Sequence, residues 1–423
     1  MDDRFFAALR SLISIESVAG VDVSEAHPYG SGPALALEYA LKLCGELGIR
    51  YVNRDGKVAW AEIGSGDEIV AILGHLDVVP VGSGWQHDPQ GELTDGRLYG
   101  RGAADDKGPT LAALFAMKEL QDSGAPLGRR VRLIFGQCEE TGDWADMKYY
   151  LEHEEKPVFG FTPDADFPAI YGEKGILEYR ISLPLEGSGL ISVEGGEASN
   201  VVPDWARCTY LDAAGEQRTI VTSGKSAHAS TPEKGDNAID KLMAALVSAG
   251  VESPLADFYA KRLMGDYHGG KLGCPLCDEE SGRLTVNAGL LRTEGDTVTL
   301  TLDIRNPVTH TSAEVDAAID AACREYGFTW KNTDNLPGVY MDRDGEVIRA
   351  LVDVYRSVTG DMSEPTVIGG GTYARAMPGI VAYGPMRPGR ECTEHQRDEY
   401  VLVEDLLGAK EIYRRAIERL ANL

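Results

Sequence analysis

The chain has no apolar run approaching the roughly 18 residues that a membrane-spanning helix requires. It is also short of basic residues: 41 Lys and Arg stand against 67 Asp and Glu, a formal charge of −26. Nucleic acid and anionic membranes are held by basic surfaces, so neither is an expected partner. There is no long block of like charge, no internal repeat and no low-complexity tract, which removes tails and solenoids from consideration. Seven cysteines, odd in number and scattered from Cys44 to Cys392, form no disulfide framework and point to a reduced, cytoplasmic protein. The opening MDDRFFAALRSLISIESV sets two Asp ahead of helically spaced apolar residues, which fits neither a signal peptide nor a transit peptide. What remains is an ordinary globular composition, 43% hydrophobic and 26% charged. At 423 residues the chain is long enough for two domains, or for one domain with a large insertion.

Strands and helices alternate through the first part. EIVAILGHLDVV is a nearly continuous apolar run, as expected of a central strand covered on both faces. Residues 80–106 are rich in Gly, Asp and Pro and predict a long loop with a short hairpin inside it, a length that is uncommon unless functional. A helix over 109–122 follows, with Pro109 at its first position. RRVRLIFGQCEETG and PVFGFTPDADFP are further strands that end in carboxylates, with a helix near 144–152 between them. This is the pattern of a doubly wound α/β sheet whose site lies at the carboxyl ends of its strands. Beyond residue 175 the style changes to ILEYRISLP, GLISVEGGE, ARCTYLD and RTIVTSG, alternating strands without helices between them, and the first style resumes after Pro337. The expectation is a discontinuous α/β domain, 1–182 with 338–423, carrying an inserted α+β domain at 183–337.

Candidate ligands sit at strand ends throughout the α/β part. In GHLDVVP, His75 and Asp77 are two residues apart, and on a strand they share a face. A carboxylate orienting a metal-bound imidazole has this form. A core His beside a turn Asp fits the pair equally well. Asp105, Glu139, Glu140, Asp164 and His395 are the other members, and two His with three of these carboxylates suit a pair of divalent cations, zinc, manganese or cobalt, bridged by one carboxylate.

GHLDVVP, YGRGAADDKGP, CEETG, FTPDADFP, EKG and the late His resemble the co-catalytic zinc metallopeptidases of the carboxypeptidase G, aminoacylase and succinyl-diaminopimelate desuccinylase family, nearest its PepV and Sapep-type dipeptidase branch. The resemblance covers nearly the whole chain in order. It implies a zinc-exopeptidase catalytic domain of the phosphorylase/hydrolase-like kind, with an inserted lid. It makes His75 and Asp164 ligands of one ion and Glu140 and His395 ligands of the other, with Asp105 between them and a cis Asp105–Asp106 bond. Asp77 would orient His75, and Glu139 would be the general base acting on a water between the two ions, with zinc the metal the resemblance implies. Cys138 departs from the Asp or Asn that many relatives carry there, and a buried thiol is the plain reading.

In the insertion, SNVVPD, GKSAHASTPEKGDNA and LDIRNP are similar to the family's lid motifs. They imply that Asn200 and Arg305 hold a substrate carboxylate and that His228 donates to the oxyanion. The glycines Gly369, Gly370 and Gly371 of IGGGTYAR would let backbone N–H groups approach the same anion. Cys274 and Cys277, a single CxxC, read as two thiols in a surface loop rather than a metal site. The expected activity is a metal-dependent dipeptidase acting on short peptides with a free C-terminus. An N-acyl-amino-acid amidohydrolase is the alternative on the same centre, and a non-catalytic relative is disfavoured because base and ligands are complete. A monomer is favoured over a homodimer.

Overall fold

The computed structural model describes residues 2–423. Two compact units divide the chain: one runs to Tyr171 and resumes over Met341–Thr366 and Thr372–Leu423, and the other comprises Gly172–Tyr340 with Val367–Gly371. The division precedes the expected boundary at 182/183 because Gly175–Pro184 is one unbroken strand paired along its length with Thr297–Asn306. The short glycine segment also goes with the second unit rather than the first.

At the centre of the first unit lies the strand Ile69–His75, buried at every position. It pairs in parallel with Arg130–Gly136 on one side and Phe159–Thr162 on the other, and Ile380–Ala382 continues the parallel set. Val58–Ile63 and Arg50–Arg54 extend the opposite edge in antiparallel pairing, so the sheet is mixed. The helices Lys107–Ser123 and Val403–Ala421 pack on the central strand and on each other. On the other face Ala71, Leu73 and Ile134 join Trp144, Met147 and Tyr150 of the helix Ala145–His153 region in one cluster. Burial on both faces explains why the central strand carries no polar alternation.

The helix Lys107–Ser123 follows directly on Asp106, takes Pro109 in its first turn, and stops at Gly124, whose φ of 66° suits a residue without Cβ. The loop before it contains the expected hairpin, Glu92–Thr94 against Arg97–Tyr99, and the latter also pairs with Tyr400–Leu402. A close approach decides Gly74: a Cβ there would fall 2.0 Å from Thr110 Oγ1. The last strand residue before His75 is therefore pressed against the first turn of this helix.

The second unit is a seven-stranded sheet in which the neighbouring strands pair antiparallel. Gly175–Pro184 alternates buried and exposed residues, leaving one face to the core. The helices Ala238–Ser248, Pro254–Arg262 and Ser312–Tyr326 contribute to that core, which also takes in Cys274. Cys274 is thus a core residue rather than a loop thiol, whereas Cys277 is exposed. The helix Pro254–Arg262 and the strand Thr329–Leu336 were not foreseen. Among the described residues no helix is long and apolar enough to cross a membrane.

Candidate metal centre

The expected strand over His75 and Asp77 ends at His75. Beyond it Leu76 N–H donates to Gly136 O at 2.9 Å and Val78 N–H to Ser17 O at 3.1 Å, so the chain leaves the sheet and Asp77 turns away from the strand geometry. Asp77 faces His75 with its backbone as well as its side chain. Its backbone carbonyl lies 3.0 Å from His75 Nδ1, while its carboxylate oxygen stands off at 3.5 Å. The carboxylate instead accepts the backbone N–H of Glu139 at 3.1 Å through Oδ1 and that of Glu140 at 3.0 Å through Oδ2. A wholly buried anion is satisfied by two consecutive amides, and these amides carry the two glutamates of the site.

Asp105 lies between two imidazoles, with Oδ1 2.9 Å from His75 Nε2 and Oδ2 2.8 Å from His395 Nε2. Asp164 Oδ2 is 3.9 Å from His75 Nε2, and Glu140 Oε2 is 3.2 Å from His395 Nε2. Ligand atoms of His75, Asp105 and Glu140 fall within 4.8 Å of one another, and so do those of His75, Glu139 and Asp164. The Asp105–Asp106 peptide bond is cis. Asp106, not singled out from the sequence, accepts the His75 N–H at 3.1 Å and the Thr110 hydroxyl at 2.8 Å through one oxygen.

Two atoms test whether cations fit. His75 Nε2 and Glu140 Oε1 are buried without a hydrogen-bond partner, although Asp105 is at contact distance from the first. Buried polar atoms are seldom left so, and an imidazole nitrogen and a carboxylate oxygen facing the same space are the donor types that divalent cations take. The donor set fits.

The electrostatics agree. Burial pushes the carboxyls of Glu139, Glu140 and Asp164 above the usual range, and neighbouring carboxylates, Asp105 among them, push the same way. For Asp105 burial is outweighed by His395 and His75, which hold it well below the usual range. His395 is driven up to about 11 by Asp105 and Glu140. Burial opposes charge on His75, but Asp105 and Asp77 outweigh it and raise the imidazole well above its ordinary value. Without cations the centre therefore stores protons. Cys138 is buried and burial raises its thiol, so it is inert beside the glutamates.

A ring of unforeseen residues supports this centre. Tyr373, fully buried, stands edge-on to His75 at 6.1 Å between ring centroids, and its hydroxyl donates to Asp146 at 2.7 Å. Asp146 also accepts the Gln137 N–H at 2.7 Å. Glu399, fully buried, accepts hydrogen bonds from the loop that carries Asp105. None of these has a motif of its own, and Glu399 was visible only as one more acid in TEHQRDEY.

Within the second unit the expected substrate residues gather. Asn200 O accepts the Ala229 N–H at 2.9 Å beside His228, and Ser230 packs against Gly369, where a Cβ would meet its Cβ at 2.5 Å. His228 Nδ1 accepts the Ser230 N–H at 3.2 Å, which in the neutral ring leaves the proton on Nε2. Arg305 is nearly buried and held on one edge by Asp303, at 2.7 Å from Nε and 2.8 Å from Nη2, while Nη1 donates to Gly369 O at 2.8 Å. Gly369 thus meets Arg305 through its carbonyl. Two of the five guanidinium donors remain beyond these bonds.

Comparison with known proteins places these features in context. The sequence profile of "Peptidase family M20/M25/M40" matches residues 71–419. "Putative dipeptidase YtjP" of Bacillus subtilis (strain 168) is 36% identical, over 100% of this chain and 96% of that protein. A Staphylococcus haemolyticus protein also named a "Putative dipeptidase" is 33% identical, over 97% of this chain and 96% of its own. Among solved structures, the M20 family metallo-carboxypeptidase Sso-CP2 from Sulfolobus solfataricus aligns with a TM-score of 0.64 at 19% identity, covering 100% of both chains. Human carnosine dipeptidase 1 aligns with a TM-score of 0.61 at 17% identity, over 100% of this chain and 97% of that one. At such identities the likeness is one of fold.

Proposed function

From the premise that this chain belongs to peptidase family M20/M25/M40, we propose that it is a metal-dependent dipeptidase cleaving short peptides with a free C-terminal carboxylate. The observation that carries the reading is the convergence of His75, Asp105, Glu139, Glu140, Asp164 and His395, with Glu140 Oε1 buried and left without a hydrogen-bond partner. His75 and Asp164 would hold one cation, Glu140 and His395 a second, and Asp105 would be shared. When bound, the cations, zinc in our reading and manganese or cobalt as substitutes, supply Lewis acidity that polarises the carbonyl and acidifies water.

The chain's own groups do the rest. The Glu139 carboxylate takes the proton of the attacking water and delivers it to the leaving amine nitrogen. Its backbone is fixed by Asp77 and by the Trp144 indole, which donates to Glu139 O at 3.2 Å. Burial beside Glu140 and Asp105 raises its carboxyl above the usual range in the cation-free protein. His228 Nε2–H would donate to the oxyanion, and the two remaining Arg305 donors, with Asn200 and the Gly369–Gly371 backbone, would bind the C-terminal carboxylate. We place the enzyme in the cytoplasm, where its free thiols suit a reducing milieu, and as a monomer, which light scattering tests.

The test is hydrolysis by metal-stripped protein reloaded separately with zinc, manganese and cobalt, on a dipeptide panel beside N-acetyl and N-succinyl amino acids. Cleavage of dipeptides in preference to N-acyl amino acids supports the reading. Full activity of the stripped protein, or preference for the N-acyl series, overturns it.

A further inference from the structure

Glu399 occupies a place that no motif announces. One carboxylate oxygen, Oε1, accepts three backbone N–H groups, from Gly102 at 3.1 Å, Ala104 at 2.9 Å and Asp105 at 3.2 Å. The other oxygen accepts Arg101 Nη1 at 2.6 Å. The Glu399 carbonyl takes a further amide of the same loop, Gly100 N–H, at 2.9 Å. Residues 101–106 are all buried, so these amides have no water to turn to, and an anion in a ring of converging donors is the arrangement that satisfies them.

The position of Glu399 in the chain gives this its meaning. His395 lies four residues earlier on the same segment, and the backbone between them turns through left-handed conformations at His395, φ 61°, and Asp398, φ 56°. Asp398 Oδ1 fastens the segment again by accepting the Gln86 N–H at 2.7 Å and the His87 N–H at 3.0 Å. Arg101 is in turn fixed over the Trp85 ring at 5.4 Å. The segment bearing His395 and the loop bearing Asp105 are thus joined by the pairing of Tyr400–Leu402 with Arg97–Tyr99 and, beyond that pairing, by the Glu399 side chain, which reaches Gly102, Ala104 and Asp105; His395 Nε2 ends 2.8 Å from Asp105 Oδ2.

We infer that Glu399 is a positioning residue that sets the spacing of His395 and Asp105, and so the affinity of the second of the two cation sites. The inference rests on the two-cation reading above. It predicts an asymmetry. The site of Glu140 and His395 draws two of its three residues, His395 and Asp105, from the joined segments. The site of His75 and Asp164 takes only the shared Asp105 from them, and keeps His75 at the end of a buried strand and Asp164 two residues beyond the strand Phe159–Thr162, neither of these two touched by Glu399.

Titration of the metal-stripped protein with cobalt, followed by calorimetry and by the visible absorption of the bound ion, tests this. Glu399→Gln keeps the shape but turns an amide N–H against either the backbone donors or Arg101, and Glu399→Asp withdraws the carboxylate by one methylene. The wild-type protein is expected to bind two ions, and its failure to do so would sink the two-cation reading by itself. Each variant is expected to weaken one ion by about 10–100-fold while the other stays within about threefold. Two sites of wild-type affinity, or two sites weakened in equal proportion together with a lower melting temperature of the stripped protein, would overturn the inference. If neither variant folds, Arg101→Lys, which keeps the charge and loses the planar fork, is measured and judged in the same way.

Discussion

The Asp77 carboxylate holds the backbone of Glu139, accepting its N–H at 3.1 Å, and takes the next amide, that of Glu140, at 3.0 Å. One buried anion thereby fixes the residue assigned to proton transfer and a residue assigned to cation binding. Asp77→Asn sets an amide N–H against one of those two donors. We expect kcat to fall by about 10–100-fold with both cations still bound, since partners at this distance typically count for that much. Steady-state kinetics with metal analysis on the same sample checks it.

Glu139→Ala separates binding from chemistry. Cation content should survive, because the remaining imidazoles and carboxylates are intact, while turnover falls by about 10²–10⁴-fold. Metal analysis and kcat decide it, and unchanged turnover would remove Glu139 from its assigned role.

Cation loading should expel protons. In the stripped protein Asp105 and Glu140 drive His395 up to about 11, and burial holds Glu140 and Asp164 above the usual carboxyl range. These protons must leave for ligands to form, so apparent cation affinity should rise as pH rises from about 6 to about 8. A pH-stat during reloading should record acid release, and calorimetry in buffers of different ionisation enthalpy should count the protons. Uptake of protons, or affinity that falls with pH, would contradict the proposed ligand set.

Arg305→Lys replaces a planar fork with a point charge. Because Asp303 occupies one edge and Gly369 O a third donor, lysine cannot serve both partners and a substrate carboxylate. KM should rise by about 10-fold or more with a smaller change in kcat, as expected for lost charge-assisted hydrogen bonds of about 1.5–3 kcal/mol. A C-terminally amidated dipeptide should lose the difference between the two proteins.

Gly74→Ala probes the fold beneath the centre. The new methyl would stand 2.0 Å from Thr110 Oγ1, whose hydroxyl holds Asp106 at 2.8 Å. Overpacking of this kind costs about 1–3 kcal/mol, and here the shift would pass to His75 through the Asp106 bond to its N–H. Thermal unfolding of the stripped protein together with cation affinity measures both effects.

The parts of this centre that were legible in the sequence are those whose chemistry is unusual for their place. A His at the end of an apolar strand, paired glutamates after another, and Asp105 before a helix each break an otherwise apolar pattern. Glu399, Asp146 and Tyr373 break none. An acid in a polar loop looks the same whether it faces solvent or accepts three amides, and only the folded backbone brings Gly102, Ala104 and Asp105 to it. For Asp77, alternation assumes that the strand continues, whereas the strand ends at His75; Leu76 N–H still reaches Gly136 O at the end of the neighbouring strand, and Val78 N–H turns to Ser17 O outside the sheet. In the second unit the strand Gly175–Pro184 was legible because one of its faces is buried, so period-two alternation survives in the sequence.

His75 N–H and Asp106 Oδ2 meet at 3.1 Å although 31 residues separate them. The segment between is therefore a closed ring whose base is fastened where strand meets helix. Exposed residues on its perimeter, such as Gly82 and Ser83, are insulated from that base by the fastening itself. Lengthening an already closed ring costs little, about 0.6 kcal/mol for each doubling. The perimeter is thus a place where sequence length can drift, or a reporter peptide be grafted after Ser83, while the chemistry at the base continues undisturbed.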